Sequence, residues 1–459
     1  MQHEEIISII ERQREFFKTG KTRKVAFRLE ALKKLKNAVL KNEEALQFAL
    51  KKDLGKSAFE SYEAEIGVVL KELNFHRRRL KRWAKPRRRP TPLALFPSTS
   101  KIYTEPFGSI LIMAPWNYPF LLLVQPLIGA ISAGNTVLLK TSSYVPEYEK
   151  TIGRIIAETF PSEYISMVSG GREVNQLLFQ QKFDYLFFTG SPQLGKLAMK
   201  AAAEHLCPVT LELGGKSPCV VSENANLKRA ARRIVWGKFL NAGQTCIAPD
   251  YLLVHASVKD ELLQLIKSEI CRQFGANPKE SPDFPRIVNE NAFDRLSGLL
   301  AHGKLVCGGE TDRSEKYIAP TVIDEIKPDF PVMQDEIFGP ILPVLTYENT
   351  GQAIDFISSR EKPLSMYIFS SDRKEINQLL QGTSAGGGCI NDTIIHIANS
   401  NLPFGGVGNS GMGKYHGKQS FDTFSNHRAV VKSSILIDIP VKYAPYSNWK
   451  MRIVKLLLR

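Results

Sequence analysis

Tryptophan and cysteine are scarce in this 459-residue chain, at 4 and 6 residues. The six cysteines (Cys207, Cys219, Cys246, Cys271, Cys307 and Cys389) form no C-x-x-C pair. That excludes the usual zinc and thioredoxin-like patterns and leaves free thiols in a reducing, cytoplasmic setting. The N-terminal stretch is charged and helical in pattern, without the apolar block of a secretory signal. Internal repeats are absent. One long stretch, 106–139, carries no charge, but Pro115, Pro119 and Pro126 interrupt it and Asn117 and Gln125 lie inside. A buried strand, a turn and a packed helix account for it better than a membrane span.

Acidic residues are also in short supply, 46 against 61 Lys and Arg, for a net charge of +15. Such an excess favours anionic partners. Nine of the fourteen residues from Arg77 to Pro90 are basic, which reads as a solvated, proline-broken connector. Among functional readings of this run, peripheral membrane contact ranks above nucleic acid, because no helix-turn-helix, zinc finger or stacking-aromatic pattern accompanies it. At 43% hydrophobic and 23% charged the composition is globular, and the length suits two or three domains.

Helical periodicity along Ile6–Phe17 and Leu29–Leu50 gives way to alternation. Short apolar runs at Ile110–Met113, Thr136–Leu139, Ile165–Val168, Tyr185–Phe188 and Val209–Leu213 are separated by helix-like segments. This is the signature of βαβ units in a doubly wound parallel sheet. Beyond Gly215 the alternation predicts a second α/β unit, with strands near Val220, Tyr251–Val254, Ser365–Phe369 and Cys389–Asn391. Helices are expected over Leu227–Leu240, Leu262–Phe274 and Glu375–Leu380. The glycine-rich segment Phe404–Gly413 is expected to close this unit, and Ala429–Ile435 offers one more strand.

Two segments resemble phosphate-binding loops. Gly190-Ser-Pro-Gln-Leu-Gly195-Lys196 joins a strand to a helix, where backbone N–H groups hold phosphate. Leu197 stands where a magnesium-binding P-loop needs Ser or Thr, so nucleotide hydrolysis is not expected. Gly408 to Lys414 repeats the near-match, followed by Tyr415. Gly406-x-Gly408-x-x-Gly411 has no obvious strand before it and reads as structural.

Three residues suit covalent chemistry. Cys246 follows a helix in the polar turn Asn241-Ala-Gly-Gln-Thr, an unfavourable place to hide an apolar side chain, and its thiol needs activation to react. Glu212 lies in an apolar strand whose alternation puts it beside Thr210; desolvation there raises a carboxyl pKa towards that of a general base. Asn117 lies just past a strand's C-terminal end, where an amide can donate to an oxyanion.

Together these residues resemble the aldehyde dehydrogenase superfamily, and within it the class 3 and fatty aldehyde dehydrogenases. The matching stretches are PWNYPF (115–120), GNTVLLK (134–140), FFTGSPQLGK (187–196), VTLELGGKSPCVV (209–221), WGKFLNAGQTCIAPDY (236–251), QDEIFGPILPV (334–344), LPFGGVGNSGMGKYHGK (402–418) and SFDTFS (420–425), in the family's order. The resemblance implies an α/β fold: a Rossmann-type cofactor domain (1–85 and 107–210), an α/β catalytic domain (211–420), a bridging β-arm (86–106 and 421–435) and a tail (436–459) over the substrate funnel. It implies Cys246 as nucleophile, Glu212 as the base that activates water, and Asn117 with the Cys246 N–H as oxyanion hole. Trp116, Lys140, Gly190, Ser191, Pro192, Gln193, Leu194, Gly195, Glu336 and Phe338 would contact NAD or NADP. Tyr62 and Tyr118 are candidate funnel residues, and a homodimer is the expected assembly. The expected activity is oxidation of medium- to long-chain aliphatic aldehydes to acids. Where class 3 members commonly read Lys-Pro-Ser-Glu, this chain reads Lys140-Thr-Ser-Ser143, which predicts that NADP is accepted beside NAD. Rival readings are a coenzyme A-acylating dehydrogenase, against which Glu212 argues, a cysteine hydrolase pairing Cys246 with His205, His396 or His416, and a binding protein with an unused site.

Overall fold

In the computed structural model, residues 3–458 are described. Two largely parallel sheets carry the chain. The first has six strands in the order Gly411–Met412, Val209–Glu212, Tyr185–Thr189, Ser109–Met113, Thr136–Lys140, Ile165–Val168. All pair in parallel except the Gly411–Met412 edge. Ser109–Met113, Thr136–Lys140 and Tyr185–Thr189 are buried at every position, as a sheet covered on both faces requires. The uncharged stretch resolves into strand, turn and the helix Pro119–Ala133, all of whose residues are buried. Pro119 occupies its first turn, where a missing N–H costs nothing. Among the described residues no helix is long and apolar enough to cross a membrane.

The second sheet has seven strands in the order Lys304–Cys307, Thr321–Asp324, Ile341–Tyr347, Tyr251–His255, Pro218–Val221, Ser365–Phe369, Gly387–Ile390. The first three were not legible in the sequence. Ile341–Tyr347 contains Pro343, which weakens a central-strand reading. The structure accommodates it because pairing to Tyr251–His255 begins only at Val344.

Two expectations are corrected. The basic run is mostly not a connector: Arg77–Trp83 forms the last turns of the helix Gly67–Trp83, which buries Leu73, His76, Leu80 and Trp83 on one face. Those apolar positions at helical spacing outweigh the charge between them. Only Arg87–Arg89 is extended, pairing with Ser98–Pro106, which also pairs with Ser425–Ser433 in a separate antiparallel sheet. Second, the glycine-rich segment does not close the second sheet. It returns to the first, where Gly411 pairs with Glu212. A Cβ on Gly411 would lie 2.1 Å from the Leu211 carbonyl oxygen, so only glycine permits that approach.

Candidate active site

The helix expected over Leu227–Leu240 ends at Phe239. Asn241, Ala242 and Gly243 then follow with φ of 52°, 52° and 73°. Left-handed non-glycine residues cost about 1–3 kcal/mol each and persist only where their surroundings fix them. Here side chains do so. Asn241 Nδ2 donates to Asn117 O at 2.9 Å, and Gln244 Nε2 donates to Asn241 O and Arg286 O at 3.1 and 3.0 Å. Gln244 Oε1 accepts from Val288 N at 3.0 Å. The turn delivers Cys246, partly accessible, to the wall of an apolar cavity of about 180 Å³. Its walls include Ala64, Val68, Leu122, Trp236 and Ile394.

Asn117 is buried and donates from Nδ2 to Gln244 O at 3.0 Å, which ties it to the cysteine turn and leaves its second amide hydrogen free of that bond. Tyr118 lines the cavity, its hydroxyl 2.7 Å from Thr245 Oγ1. Tyr62 is 44% exposed, and the wall from its segment is made by Glu63, Ala64 and Val68.

Glu212 is buried with neither carboxylate oxygen hydrogen-bonded. Burial pushes its pKa well above the carboxylate range, partly opposed by the Lys414 ammonium. Glu336 is lifted to about 8, first by burial and then by Asp250. It packs so closely on Gly214 that a Cβ there would lie 1.9 Å from Oε2. Cys246 is raised by burial, then by Glu336 and Glu212, so its resting form is the thiol. Glu60, a buried carboxyl beside the cysteine turn, is lifted to about 7, chiefly by burial.

Four of the cofactor candidates, Ser191, Pro192, Gln193 and Glu336, line a cleft of about 690 Å³ together with Gly214 and Lys216; Trp116, Lys140, Gly190, Leu194, Gly195 and Phe338 do not line it. Ser191 caps the helix Pro192–Ala203, accepting from Leu194 N at 3.4 Å. Leu194 is half exposed. A Cβ would strike Phe188 from Gly190 at 2.8 Å and Leu213 from Gly195 at 2.6 Å, so both positions pack too closely on the core for a side chain. Thr141 and Thr189 carry buried hydroxyls without partners. Lys140 is buried at the end of its strand, bonded to Thr141 O, and Trp116 meets Phe338 edge-on at 5.4 Å. The N-terminus of the helix Pro192–Ala203, two unsatisfied hydroxyls and a buried cation fit a dinucleotide.

No candidate histidine is bonded to Cys246. His205 faces Gln180 O, and His396 bonds Ser365 and lies 3.5 Å from Cys389 Sγ. His416 is buried with both ring nitrogens unpaired. Sequence reasoning missed Val68 and the buried pair Lys56 and Glu65, because segments far from Cys246 in the chain supply them, and gave no role to Trp236 and Thr245, which lie in the same stretch as Cys246.

The aldehyde dehydrogenase family profile matches residues 1–430. The chain is 49% identical over 442 residues to the 4,4'-diaponeurosporen-aldehyde dehydrogenase of Staphylococcus aureus (strain NCTC 8325 / PS 47), covering 96% of each. It is 45% identical over 443 residues to aldehyde dehydrogenase family 3 member B2 of Mus musculus, covering 96% of this chain and 92% of that protein. The substrate-bound structure of Staphylococcus aureus AldH superposes with a TM-score of 0.97 at 48% identity, over 99% of each chain. The chain therefore belongs to the aldehyde dehydrogenase family, in its class 3-like branch, as an NAD(P)-dependent enzyme that oxidises aldehydes to carboxylic acids.

Proposed function

We propose that Cys246 is the nucleophile, Glu212 the hydrolytic base, and Asn117 with the Cys246 N–H the oxyanion hole, acting on medium- to long-chain aliphatic aldehydes. The observation that carries this reading is the apolar cavity lined by Cys246, with Asn117 tied to the same turn. An alkyl chain gains about 0.8 kcal/mol per methylene buried in such a cavity.

Cys246 gives up its thiol proton to water, the sulfur adds to the aldehyde carbon, and the carbonyl π pair moves onto oxygen, where Asn117 and the Cys246 N–H donate to it. NAD or NADP, when bound, supplies a cationic ring that takes up the aldehyde's hydride. The remaining acyl group is a thioester on Cys246. Glu212 removes a proton from water, whose oxygen adds to the thioester carbon; the C–S bond breaks and the acid leaves. A carboxylate whose protonated form is favoured by burial is a strong base once ionised. That base favours hydrolysis over transfer to coenzyme A.

Trp116, Lys140, Gly190, Ser191, Pro192, Gln193, Leu194, Gly195, Glu336 and Phe338 would hold the cofactor. Ser143 in place of an acidic residue favours acceptance of NADP beside NAD. Residues 1–85 and 107–210 would form the cofactor domain, whose sheet is completed by Leu211, Glu212 and Gly411–Met412, and the rest of 211–420 the catalytic domain. Residues 86–106 and 421–435 would be the arm of a homodimer, with 436–459 over the funnel mouth. The protein would work in the cytoplasm. Its basic surface and the helix Asn448–Leu458, with Trp449, Leu456 and Leu458 exposed, would touch anionic membranes peripherally. The test is nicotinamide reduction with aldehydes of increasing length and either cofactor. Activity that declines steadily beyond short chains refutes the substrate reading, and a steep preference for NAD refutes the cofactor reading.

A further inference from the structure

Behind the turn that carries Asn117 lies a fully buried ion pair. Lys56 Nζ is 2.6 Å from Glu65 Oε1, with both side chains at 0% exposure. The pair's remaining hydrogen bonds are directed at one short segment. Lys56 Nζ also donates to Asn117 O at 2.8 Å and sits 4.0 Å from the Tyr118 ring centroid. Glu65 Oε2 accepts from Phe120 N at 2.8 Å and Leu121 N at 3.1 Å, the open amides at the start of the helix Pro119–Ala133. Asn117 O takes a second donor, Asn241 Nδ2, from the cysteine turn.

A buried ion pair of this kind contributes little net stability, because desolvation offsets the attraction. Its contacts are better explained by placement. The pair holds residues 117, 118, 120 and 121 together, and the segment is joined to the cysteine turn through Asn117 O and Asn117 Nδ2. The direction of the remaining Asn117 amide hydrogen is thereby set by a charge that touches neither substrate nor thiol.

We infer that Lys56, braced by Glu65, is a positioning residue that aims the Asn117 amide at the oxygen of the tetrahedral intermediate. This rests on the reading of Asn117 as an oxyanion donor. A misaimed donor is felt when negative charge develops and not when the aldehyde binds, so the effect falls on kcat.

The experiment compares Lys56→Met, Lys56→Met/Glu65→Gln, Asn117→Ala and Lys56→Met/Asn117→Ala, with kcat, aldehyde KM and Tm for each. Lys56→Met alone strands a buried carboxylate and lowers Tm. The Glu65→Gln partner removes that charge while keeping a carbonyl for the two amides, so Tm recovers. The expected result is that the Lys56→Met/Glu65→Gln protein keeps a kcat about 10–100-fold below the parent, with KM within about threefold. In the Asn117→Ala background Lys56→Met adds no further loss, as for residues acting through one group. If Asn117→Ala lowers kcat but the Lys56→Met/Glu65→Gln protein matches the parent, or the two losses multiply, the positioning role is overturned and the oxyanion reading stands. If Asn117→Ala leaves kcat unchanged, both fall.

Discussion

The two cavities at the active site are built in contrasting ways. The cleft beside Ser191 and Glu336 is lined largely by polar and charged residues and lies at the start of one helix. The cavity that Cys246 lines is apolar and walled by side chains from several distant segments. A polar cleft suits a ligand that every turnover would share, while apolar walls are free to suit one class of aldehyde. Cys246 lies where the two influences meet, lining the apolar cavity while Glu336, once ionised, raises its pKa further.

The contrast breaks completely if the thiol is removed. Cys246→Ala lowers kcat by at least about 10⁴-fold with either cofactor, while equilibrium titration of NAD still gives a saturable signal from the polar side. The next effect separates the two half-reactions. Glu212→Gln lowers steady-state kcat roughly 10²–10⁴-fold, yet rapid mixing gives a burst of reduced cofactor, and mass spectrometry finds the acyl group on Cys246. In the parent, activity rises with pH as Glu212 ionises above its raised pKa, and the Gln variant loses that limb.

Filling the apolar side sharpens the comparison. Val68→Trp puts an indole where a long chain would lie. Excluding two or three methylenes at about 0.8 kcal/mol each lowers kcat/KM for a ten-carbon aldehyde by roughly 10–60-fold, and propanal is affected little. Recharging the polar side gives a smaller change: Ser143→Glu lowers kcat/KM with NADP by about tenfold, through repulsion of the 2′-phosphate, and spares NAD. The smallest effect is on stability. Glu60 has its pKa raised from 4.5 to about 7 in the folded chain, so the folded state holds the proton more tightly. The stabilisation is full below 4.5 and is lost as pH rises to about 7. Melting temperature falls across that window in the parent, and Glu60→Gln flattens the decline.

The polar side was legible in the sequence because it is local. Strand, Gly190-Ser191 turn and helix are consecutive, so hydrophobic period and turn chemistry reveal them together. Glu212 was legible for the same reason, its burial following from an apolar strand. Resemblance to a known family supplied what local pattern could not, above all the roles proposed for Glu336 and Phe338. The apolar wall was hidden: nothing near Val68 or Ile394 says that both face Cys246, and Tyr62 was a less informative choice than its neighbours Ala64 and Val68. Lys56 and Glu65 lie nine residues apart, outside helical spacing, so neither points to the other. The basic run misled because charge was read before the apolar positions Leu80 and Trp83.

The return of the glycine-rich segment to the first sheet governs the order in which the chain is finished. The strand Val209–Glu212 stays an open edge until Gly411–Met412 arrives, and Ser98–Pro106 waits for Ser425–Ser433. During synthesis every residue proposed for chemistry, Asn117, Glu212 and Cys246, leaves the ribosome long before those closing strands do. The nascent chain leaves the edge of Ser98–Pro106 open for most of its translation, and that of Val209–Glu212 open, with the Cys246 thiol already emerged, for more than a third of it, until roughly the last tenth of the chain seals them.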